Sequence, residues 1–234
     1  MSFGRPHRHW RSTDSTNERA RELADAGAPS GLVVTADSQR AGRGRRGRRW
    51  SAPAGAALLY SALLRPLERR HALLPLAVPL AVCDAIESLA PLGCRVKWPN
   101  DVWIGERKVA GVLIEARPPE WAVIGVGVNL AIADDEFDLK LRWPATSVGH
   151  GVSAAAARDA LDRSLSGWVA AGRELVLEGF AARDALRDRE VSWEGAGSGS
   201  GTARGIDAEG NLLVEADGEL VALGAGEVSL RLAR

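Results

Sequence analysis

Residues 39–50, QRAGRGRRGRRW, form the segment best equipped to bind an anion. Six arginines and three glycines lie between Arg40 and Arg49, with no acidic residue among them, although the whole chain has a formal net charge of zero. Glycine lets the backbone approach a ligand closely. Arginine presents a planar fork of donors that matches phosphate or carboxylate. We therefore interpret the segment as a lid that closes over an anionic ligand.

The same segment matches two phosphate-binding patterns only in part. Gly42, Gly44 and Gly47 spell G-x-G-x-x-G, but the dinucleotide-binding form must lead into a helix, whereas this loop continues into RRWSAPAG. Arg48 and Arg49 stand where a P-loop needs Lys and Ser or Thr. Arginine–glycine contacts to nucleic-acid phosphates and a simple solvated loop stay open as alternatives for this segment alone.

Lysine is scarce in the chain, which makes the few lysines informative. There are 27 arginines and three lysines, Lys97, Lys108 and Lys140. A composition biased towards arginine replaces surface lysines at little cost. At a working site the two residues are not equivalent, because lysine is a compact ammonium and arginine a planar fork. Lys97 in VKWPND and Lys108 in ERKVAG are therefore candidate functional residues.

Strands and helices that could position these residues can be predicted along the chain. Polar DSTN precedes a helix that ends near Gly27. The turn at VKWPND follows a strand, since Pro99 disfavours helix at Trp98, and VWIGERKVAGVLIEA predicts a hairpin that turns at Gly105. Strands are also predicted at 31–36, 55–64 and 121–130, and helices at 71–91 and from 153 to about 189.

The sequence changes in character near residue 190. Glycine-rich GAGSGSG and short strands separated by turns at DAEGN and ADGE predict a small β-barrel. We therefore predict a main domain of residues 1–189 and an all-β domain of residues 190–234, with an α+β or mixed α/β architecture overall.

Composition excludes several classes of protein. Apolar residues make up 46% and charged residues 26% of the 234, as in a globular domain. Apolar stretches are too short to span a membrane, and the N-terminus lacks the apolar core of a signal peptide. Cys83 and Cys94 give neither a disulfide framework nor a metal-ligand spacing. These features favour a reduced, cytoplasmic protein.

Four blocks, in order, resemble the biotin protein ligases. They are DSTN (14–17), QRAGRGRRGRRW (39–50), KWPNDV (97–102) with RKVAGVLIE (107–115), and VIGVGVNL (123–130). The resemblance implies an α+β fold similar to class II synthetases and biotin–lipoate ligases, with a mixed sheet flanked by helices and a C-terminal SH3-like barrel. About a dozen residues precede the STN block, so the chain resembles the form without an N-terminal DNA-binding domain, and we expect no direct DNA binding.

The resemblance also implies a two-step reaction. Biotin's carboxylate attacks the α-phosphate of ATP, with Mg²⁺, to give biotinyl-5'-adenylate and pyrophosphate. A lysine amine of a biotin carboxyl-carrier protein then attacks the acyl-adenylate, and AMP leaves. Both steps pass through anionic transition states, so catalysis should rest on fixed cations and oriented donors.

Site residues follow from the same resemblance, with Lys97 and Arg43 as the catalytic pair that meets the acyl and phosphate oxygens. The biotin-binding candidates are Ser15, Thr16, Asn17, Gln39, Arg43, Gly44, Arg45, Lys97 and Gly111. The ATP- and adenylate-binding candidates are Arg43, Arg45, Arg46, Trp50, Asn100, Asp101, Lys108 and Asn129, with Asp101 also a candidate Mg²⁺ ligand.

Structural interpretations of these residues stay open at this point. The STN block is also compatible with a helix N-cap, and PND with a turn whose Asn and Asp bond their own backbone. Gly111 and Gly127 suit either ligand approach or strand packing. Trp50 and Trp98 are each either a core residue or a wall of the adenine site.

Other functions stay open as well. A lipoate or octanoate ligase would share the architecture, and a non-catalytic ligand- or nucleic-acid-binding relative is a third hypothesis. The protein could be a monomer or a homodimer, and no membrane association is expected.

Overall fold

A seven-stranded sheet forms the larger part of the protein, whose computed structural model describes residues 2–138, 141, 143–195, 197–225 and 228–232. Its strands are β1 (His7–Trp10), β2 (Val33–Ala36), β3 (Ala57–Leu64), β4 (Cys94–Lys97), β5 (Asp101–Ile104), β6 (Arg107–Arg117) and β7 (Trp121–Asn129). Their order across the sheet is β1-β2-β3-β7-β6-β5-β4. Only the pairing of β1 with β2 is parallel among the described strands. The predicted hairpin at Gly105 joins β5 to β6.

Within the described residues, four α-helices cover the two faces of this sheet. They are α1 (Thr16–Asp25), α2 (Leu74–Glu87), α3 (Ala154–Ala170) and α4 (Arg173–Arg183). The helical region predicted from 153 to about 189 is confirmed over α3 and α4, but it is interrupted once and ends at Arg183. Ala171 and Gly172 are extended, with ψ of 146° and 157°, and separate α3 from α4. Helix α4 ends before Asp184, whose backbone is also extended.

The two faces of the sheet differ in what covers them. Ile124, Val126 and Val128 of β7 are buried in a large cluster with residues of α2 and α3. Val123 lies in a smaller cluster with Ala20 and other residues near α1. Because successive side chains of a strand point to opposite faces, the α1 face also carries Gly125, Gly127 and Asn129. That face therefore has room for a ligand beyond α1.

The C-terminal strands make a second, antiparallel sheet. They are β8 (Glu190–Gly195), β9 (Gly197–Ile206), β10 (Leu212–Ala216), β11 (Glu219–Leu223) and β12 (Val228–Leu232), in the order β11-β10-β9-β8-β12. The predicted α+β class with an all-β C-terminal part is confirmed. Val191 and Leu212 of this sheet belong to the same apolar cluster as α2. The boundary between residues 189 and 190 stays a prediction.

Trp98 connects the two sheets through a hydrogen bond. Its side chain is fully buried in the core, and its Nε1 donates to the carbonyl of Gly210 at 3.0 Å. Of the two interpretations of Trp98, the core residue is therefore the correct one. Cys83 and Cys94 are buried free thiols, in keeping with the absence of a disulfide framework. Among the helices described, none combines the length and apolar character that crossing a membrane requires.

Candidate ligand-binding and active site

A cleft of about 1140 Å³, including its open mouth, lies on the α1 face of the sheet. It is bounded by the start of α1, the arginine loop and strands β6 and β7. Twelve predicted site residues line it: Ser15, Thr16, Asn17, Gln39, Arg43, Gly44, Arg45, Trp50, Asn100, Lys108, Gly111 and Asn129. Four segments that are far apart in the sequence therefore meet at one cavity.

A polar cluster forms one end of the cleft. Gln39 Oε1 accepts from the backbone N–H of Thr16 at 2.7 Å and from the Thr16 hydroxyl at 3.0 Å. The Ser61 hydroxyl, fully buried, lies 2.8 Å from Thr16 Oγ1 and 2.7 Å from Asn17 Oδ1. Ser15 is the N-cap residue of α1 but makes no capping bond with its side chain. The capping interpretation of Ser15 therefore does not account for its hydroxyl, and the cluster suits a polar ligand group.

Glycines in β7 make room for this cluster. A Cβ at Gly125 would lie 2.1 Å from Asn17 Oδ1, and one at Gly127 would lie 2.4 Å from the Trp50 ring. Gly111 of β6 pairs with Gly127, and its Cβ would also approach the Trp50 ring, at 3.1 Å. The indole therefore lies across two side-chain-free positions. Its Nε1 is buried and has no hydrogen-bond partner among the described residues.

The arginine loop folds back on itself as a short hairpin. Trp50 N–H donates to Gly42 O at 3.0 Å and Gly44 N–H to Arg48 O at 2.7 Å. Arg46 occupies the tip in the left-handed region, with φ of 56°, and is exposed rather than in the cleft lining. Glycine at 42 is required by close packing, because a Cβ there would lie 2.3 Å from the Trp50 carbonyl.

Arg45 connects the loop to the rest of the protein. Its guanidinium donates to Asn100 Oδ1 at 3.2 Å and to the carbonyl of Ala225, which lies between β11 and β12 of the second sheet. Burial, together with the nearby Arg48 and Arg46, lowers the pKa of Arg45. Arg45 thus joins the loop, the PND turn and the C-terminal sheet at the edge of the cleft.

The cleft is cationic. The charged side chains in its lining are Arg43, Arg45, Arg48, Arg49 and Lys108. No carboxylate side chain is among its described lining residues. Lys108 Nζ lies 2.5 Å from Asp101 Oδ1 and 5.6 Å from the centre of the Trp50 ring. Low-dielectric walls around charges of one sign concentrate ligands of the opposite sign, so the cleft suits an anion with an apolar part.

Three predicted site residues lie outside the lining. Arg46 is at the loop tip, as described. Asp101 is 5% exposed and is bonded to Lys108, which lines the cleft. Lys97 is 4% exposed, and its Nζ lies 4.9 Å from the ring centre of Trp143, which does line the cleft. The described residues include no group of three His, Cys, Asp or Glu side chains that could hold a metal by themselves.

Several lining residues were missed in the sequence. Phe137, Leu141 and Trp143 follow β7 in a connection with no regular period, and they add apolar surface opposite the sheet. A usable signal was the presence of four large apolar residues in the otherwise charged stretch DDEFDLKLRWP. Lys140, the third lysine, lies outside the described residues. The remaining residues missed are Arg48, Arg49, Ser51, Leu59, Tyr60, Val112, Leu113, Gly125, Val126 and Ala145.

Sequence profiles identify the class of protein to which this fold and cleft correspond. The Biotin/lipoate A/B protein ligase family matches residues 10–129, and the Biotin protein ligase C terminal domain matches residues 189–231. The chain belongs to the biotin/lipoate protein ligase family.

Individual relatives narrow this class. The chain is 36% identical to a Biotin--[acetyl-CoA-carboxylase] ligase of Paracoccus denitrificans, over 92% of this chain and 97% of the relative. It is 34% identical to the Bifunctional ligase/repressor BirA of Bacillus spizizenii, over 86% of this chain, and spans 66% of that protein.

Solved structures that are similar to this chain include biotin protein ligases. A biotin protein ligase from Aquifex aeolicus in complex with biotin and ATP has a TM-score of 0.86 at 27% identity, covering 98% of this chain and all of that one. A biotin protein ligase from Leishmania major in complex with biotinyl-5-AMP has a TM-score of 0.68 at 25% identity, covering 95% and 100%.

Proposed function

We propose that this protein is a biotin protein ligase, which activates biotin with ATP and transfers it to a carrier protein. The observation that carries the proposal is the cleft itself. One end holds hydrogen-bonding groups of Thr16, Gln39 and Ser61, and the other is walled by an indole and five cations. Biotin combines a polar ureido head, an apolar tail and a carboxylate, in that order, and so matches the cleft along its length.

The polar cluster binds the ureido head in this proposal. A buried polar group must find partners for its donors and acceptors, and leaving one unpaired costs about 1–3 kcal/mol. Within the described part of the chain, the Gln39 side-chain nitrogen makes no hydrogen bond, so its two N–H groups are available to a ligand carbonyl. Ser15 and the second lone pair of Asn17 Oδ1 supply the remaining contacts.

In this proposal the cationic side chains around the arginine loop bind the carboxylate of biotin and the phosphates of ATP. The carboxylate oxygen of biotin forms a bond to the α-phosphorus of ATP as the bond to pyrophosphate breaks. Arg43, Arg45 and Lys108 stabilise the charge that accumulates on the phosphoryl oxygens. Lys97 contributes a further positive charge, because its Nζ lies beside the ring of Trp143, which lines the cleft. Gly44 and Gly111 let the backbone approach the tail, while Trp50, Asn100 and Asn129 surround the nucleotide.

Mg²⁺ accompanies ATP in this proposal. Its usual ligands are one or two carboxylates together with substrate phosphates. Asp101 lies 2.5 Å from Lys108 Nζ, and Lys108 lines the cleft, so Asp101 is the candidate ligand, and the phosphates would supply the other oxygens.

The second step uses the protected adenylate. A carrier lysine, as the free amine, attacks the acyl carbon. The bond from that carbon to the phosphate oxygen breaks, AMP leaves with its electron pair, and the new amide nitrogen releases one proton to water. The arginine loop and the apolar side chains of Phe137, Leu141 and Trp143 keep water from that carbon. The partner is therefore a biotin carboxyl-carrier protein, and the setting is the cytoplasm. The absence of DNA binding and the choice between monomer and homodimer stay predictions.

ATP–pyrophosphate exchange tests the proposal. The protein with Mg²⁺ is supplied with biotin, lipoate or no acid, and exchange is expected with biotin alone. Omitting Mg²⁺ should abolish it. Exchange with lipoate instead would assign the chain to the lipoate branch of its family. The absence of exchange with either acid would overturn ligase activity and favour a ligand-binding or nucleic-acid-binding protein.

A further inference from the structure

Glu115 lies just beyond the cleft and touches two of its residues. Strand β6 places Gly111, Leu113 and Glu115 on one face, because alternate residues of a strand share a side. The first two line the cleft and Glu115 does not. Its side chain is 23% exposed, and each carboxylate oxygen has a different partner. Oε2 accepts from Asn17 Nδ2 at 2.8 Å, and Oε1 lies 3.0 Å from Arg43 Nη1.

The contact with Asn17 determines which way its amide faces. Nδ2 donates to Glu115 and, at 3.3 Å, to the carbonyl of Leu113, while Oδ1 accepts from Ser61. Turning the amide over would place its oxygen against a carboxylate and a carbonyl, which repel it. Both Asn17 N–H groups are therefore used within the protein. What Asn17 offers a ligand is the remaining lone pair of Oδ1, an acceptor suited to a ureido N–H.

The contact with Arg43 holds one side chain in the first half of the arginine loop. An arginine has a long, flexible side chain and loses much conformational entropy when it is ordered. The ion pair with Glu115 orders Arg43 before a ligand arrives, so less of this entropy is lost on binding. Arg43 and Asn17 come from separate segments, and Glu115 is the group that both contact.

We propose that Glu115 is a positioning residue that orients Asn17 as an acceptor for the biotin head and holds Arg43 at the anionic end of the same ligand. This role rests on the proposed function. One carboxylate holds both residues, and the role involves no contact between Glu115 and the reacting atoms.

The test compares Glu115→Gln with a matched change, Glu120→Gln. Glutamine is isosteric and can still accept from Asn17, but its amide N–H₂ faces the Arg43 guanidinium, donor against donor. Glu120 pairs with Arg117 at 3.3 Å on the exposed turn between β6 and β7, so its variant removes an ion pair of the same type away from the cleft. The dissociation constant of biotin is measured by calorimetry, together with the biotin KM, kcat and Tm.

Glu115→Gln should weaken biotin binding about tenfold, as expected for loss of a charge-assisted hydrogen bond. The biotin KM should rise in parallel, and kcat should fall as well, because the displaced Arg43 also stabilises charge on the phosphoryl oxygens. The Tm should change little, and Glu120→Gln should match the parent. In an Arg43→Ala background the effect of Glu115→Gln should shrink to about twofold, because the partner is already absent.

Three results would overturn the role. They are an unchanged biotin affinity in Glu115→Gln, an equal effect with and without Arg43, and a lower Tm with normal affinity. The proposed function fails in a different way. Parent protein that neither binds biotin nor supports biotin-dependent exchange would overturn the ligase assignment and this role together, whereas active parent with an unaffected variant overturns this role alone.

Discussion

The two faces of strand β7 differ in role: one packs in the core and the other lines the cleft. Towards α2 and α3 the strand presents Ile124, Val126 and Val128, which are buried in the main core. Towards α1 it presents Gly125, Gly127 and Asn129, all in the cleft lining. On the first face the side chains of β7 fill the space beside the sheet. On the second face the two glycines have no side chain, which leaves that space to other groups. Substitutions on one face should therefore change stability, and substitutions on the other should change ligand binding.

The largest effect on binding is expected from Gly125→Ala. The new Cβ would lie 2.1 Å from Asn17 Oδ1, and Asn17 cannot move away without breaking its bonds to Ser61 and Glu115. Loss of two or three hydrogen bonds of about 1 kcal/mol each predicts biotin binding weaker by on the order of 100-fold. Calorimetric titration with biotin checks this result.

A glycine elsewhere provides the control. Gly167 lies within α3, and a Cβ there would meet no atom within 4 Å. Gly167→Ala should leave biotin affinity unchanged and raise the free energy of unfolding by about 0.5–1 kcal/mol, because alanine is the better helix former. Equal biotin affinities in the Gly125 and Gly167 variants would contradict the assignment of the glycine face to the ligand.

Leu80→Ala is the matching change on the apolar face. Leu80 of α2 is fully buried in the main core. Truncation of a buried leucine costs about 2–5 kcal/mol through lost transfer free energy and the cavity left behind. Urea denaturation should show this loss, while the folded variant keeps the parent's biotin affinity. A variant with normal stability but weakened binding would show that the two faces are not separable.

A smaller effect is expected at the arginine loop, in the retention of the adenylate. Arg45 bonds Asn100 and the carbonyl of Ala225, whereas its neighbour Arg46 is exposed at the loop tip. Arg45→Ala should release biotinyl-adenylate about tenfold faster, since hydrogen bonds to a charged group contribute roughly 1.5–3 kcal/mol. Arg46→Ala should change the release rate by less than about threefold. Filter-binding of labelled intermediate measures both rates, and equal rates in the parent and Arg45→Ala would rule out this retention role.

Local patterns made much of this arrangement predictable from the sequence. WAVIGVGVNL was predicted as a strand, and Gly105 marked the turn of a hairpin. These elements depend on neighbours within a few positions, which is the range over which turn chemistry and periodicity act. The four motif blocks contain most of the residues that line the cleft, and the site residues predicted within them came from the resemblance to a family.

Features that depend on distant contacts were not predictable in the same way. Glu115 is an ordinary acidic residue near a strand end, and its importance comes from residues 98 and 72 positions away. Phe137 and Trp143 lie in an irregular connection, where no period signals burial. The break between α3 and α4 was missed because alanine and leucine on both sides of Gly172 continue a helical pattern. Lys97 was predicted to line the cleft but does not; its Nζ lies near the ring of Trp143, which does. The position of Trp143 could not be predicted from the sequence.

The smallest effect concerns His7 on edge strand β1, away from both the core and the cleft. His7 Nε2 bonds Thr35 Oγ1 at 2.8 Å, and Arg158 donates to Nδ1 at 3.1 Å, so the ring is held neutral. Burial, Arg158 and His9 lower the pKa of His7, against an opposing influence of Asp159. A lowered pKa in the folded state means that protonation favours unfolding. Stability contributed by neutral His7 is therefore complete above the ordinary pKa near 6.5 and declines as the pH falls below it.

His7→Gln removes this titration while keeping a donor that can reach Thr35. Between pH 8 and pH 5 the Tm of the parent should fall further than that of the variant, by a degree or two. His71, whose pKa is also lowered by burial, titrates in both proteins and cancels from the difference. Biotin affinity should be the same in both proteins at every pH, because His7 belongs to neither end of the cleft. Parallel Tm curves would contradict the neutral, bonded His7, and a difference in biotin affinity would contradict the separation of this edge from the cleft.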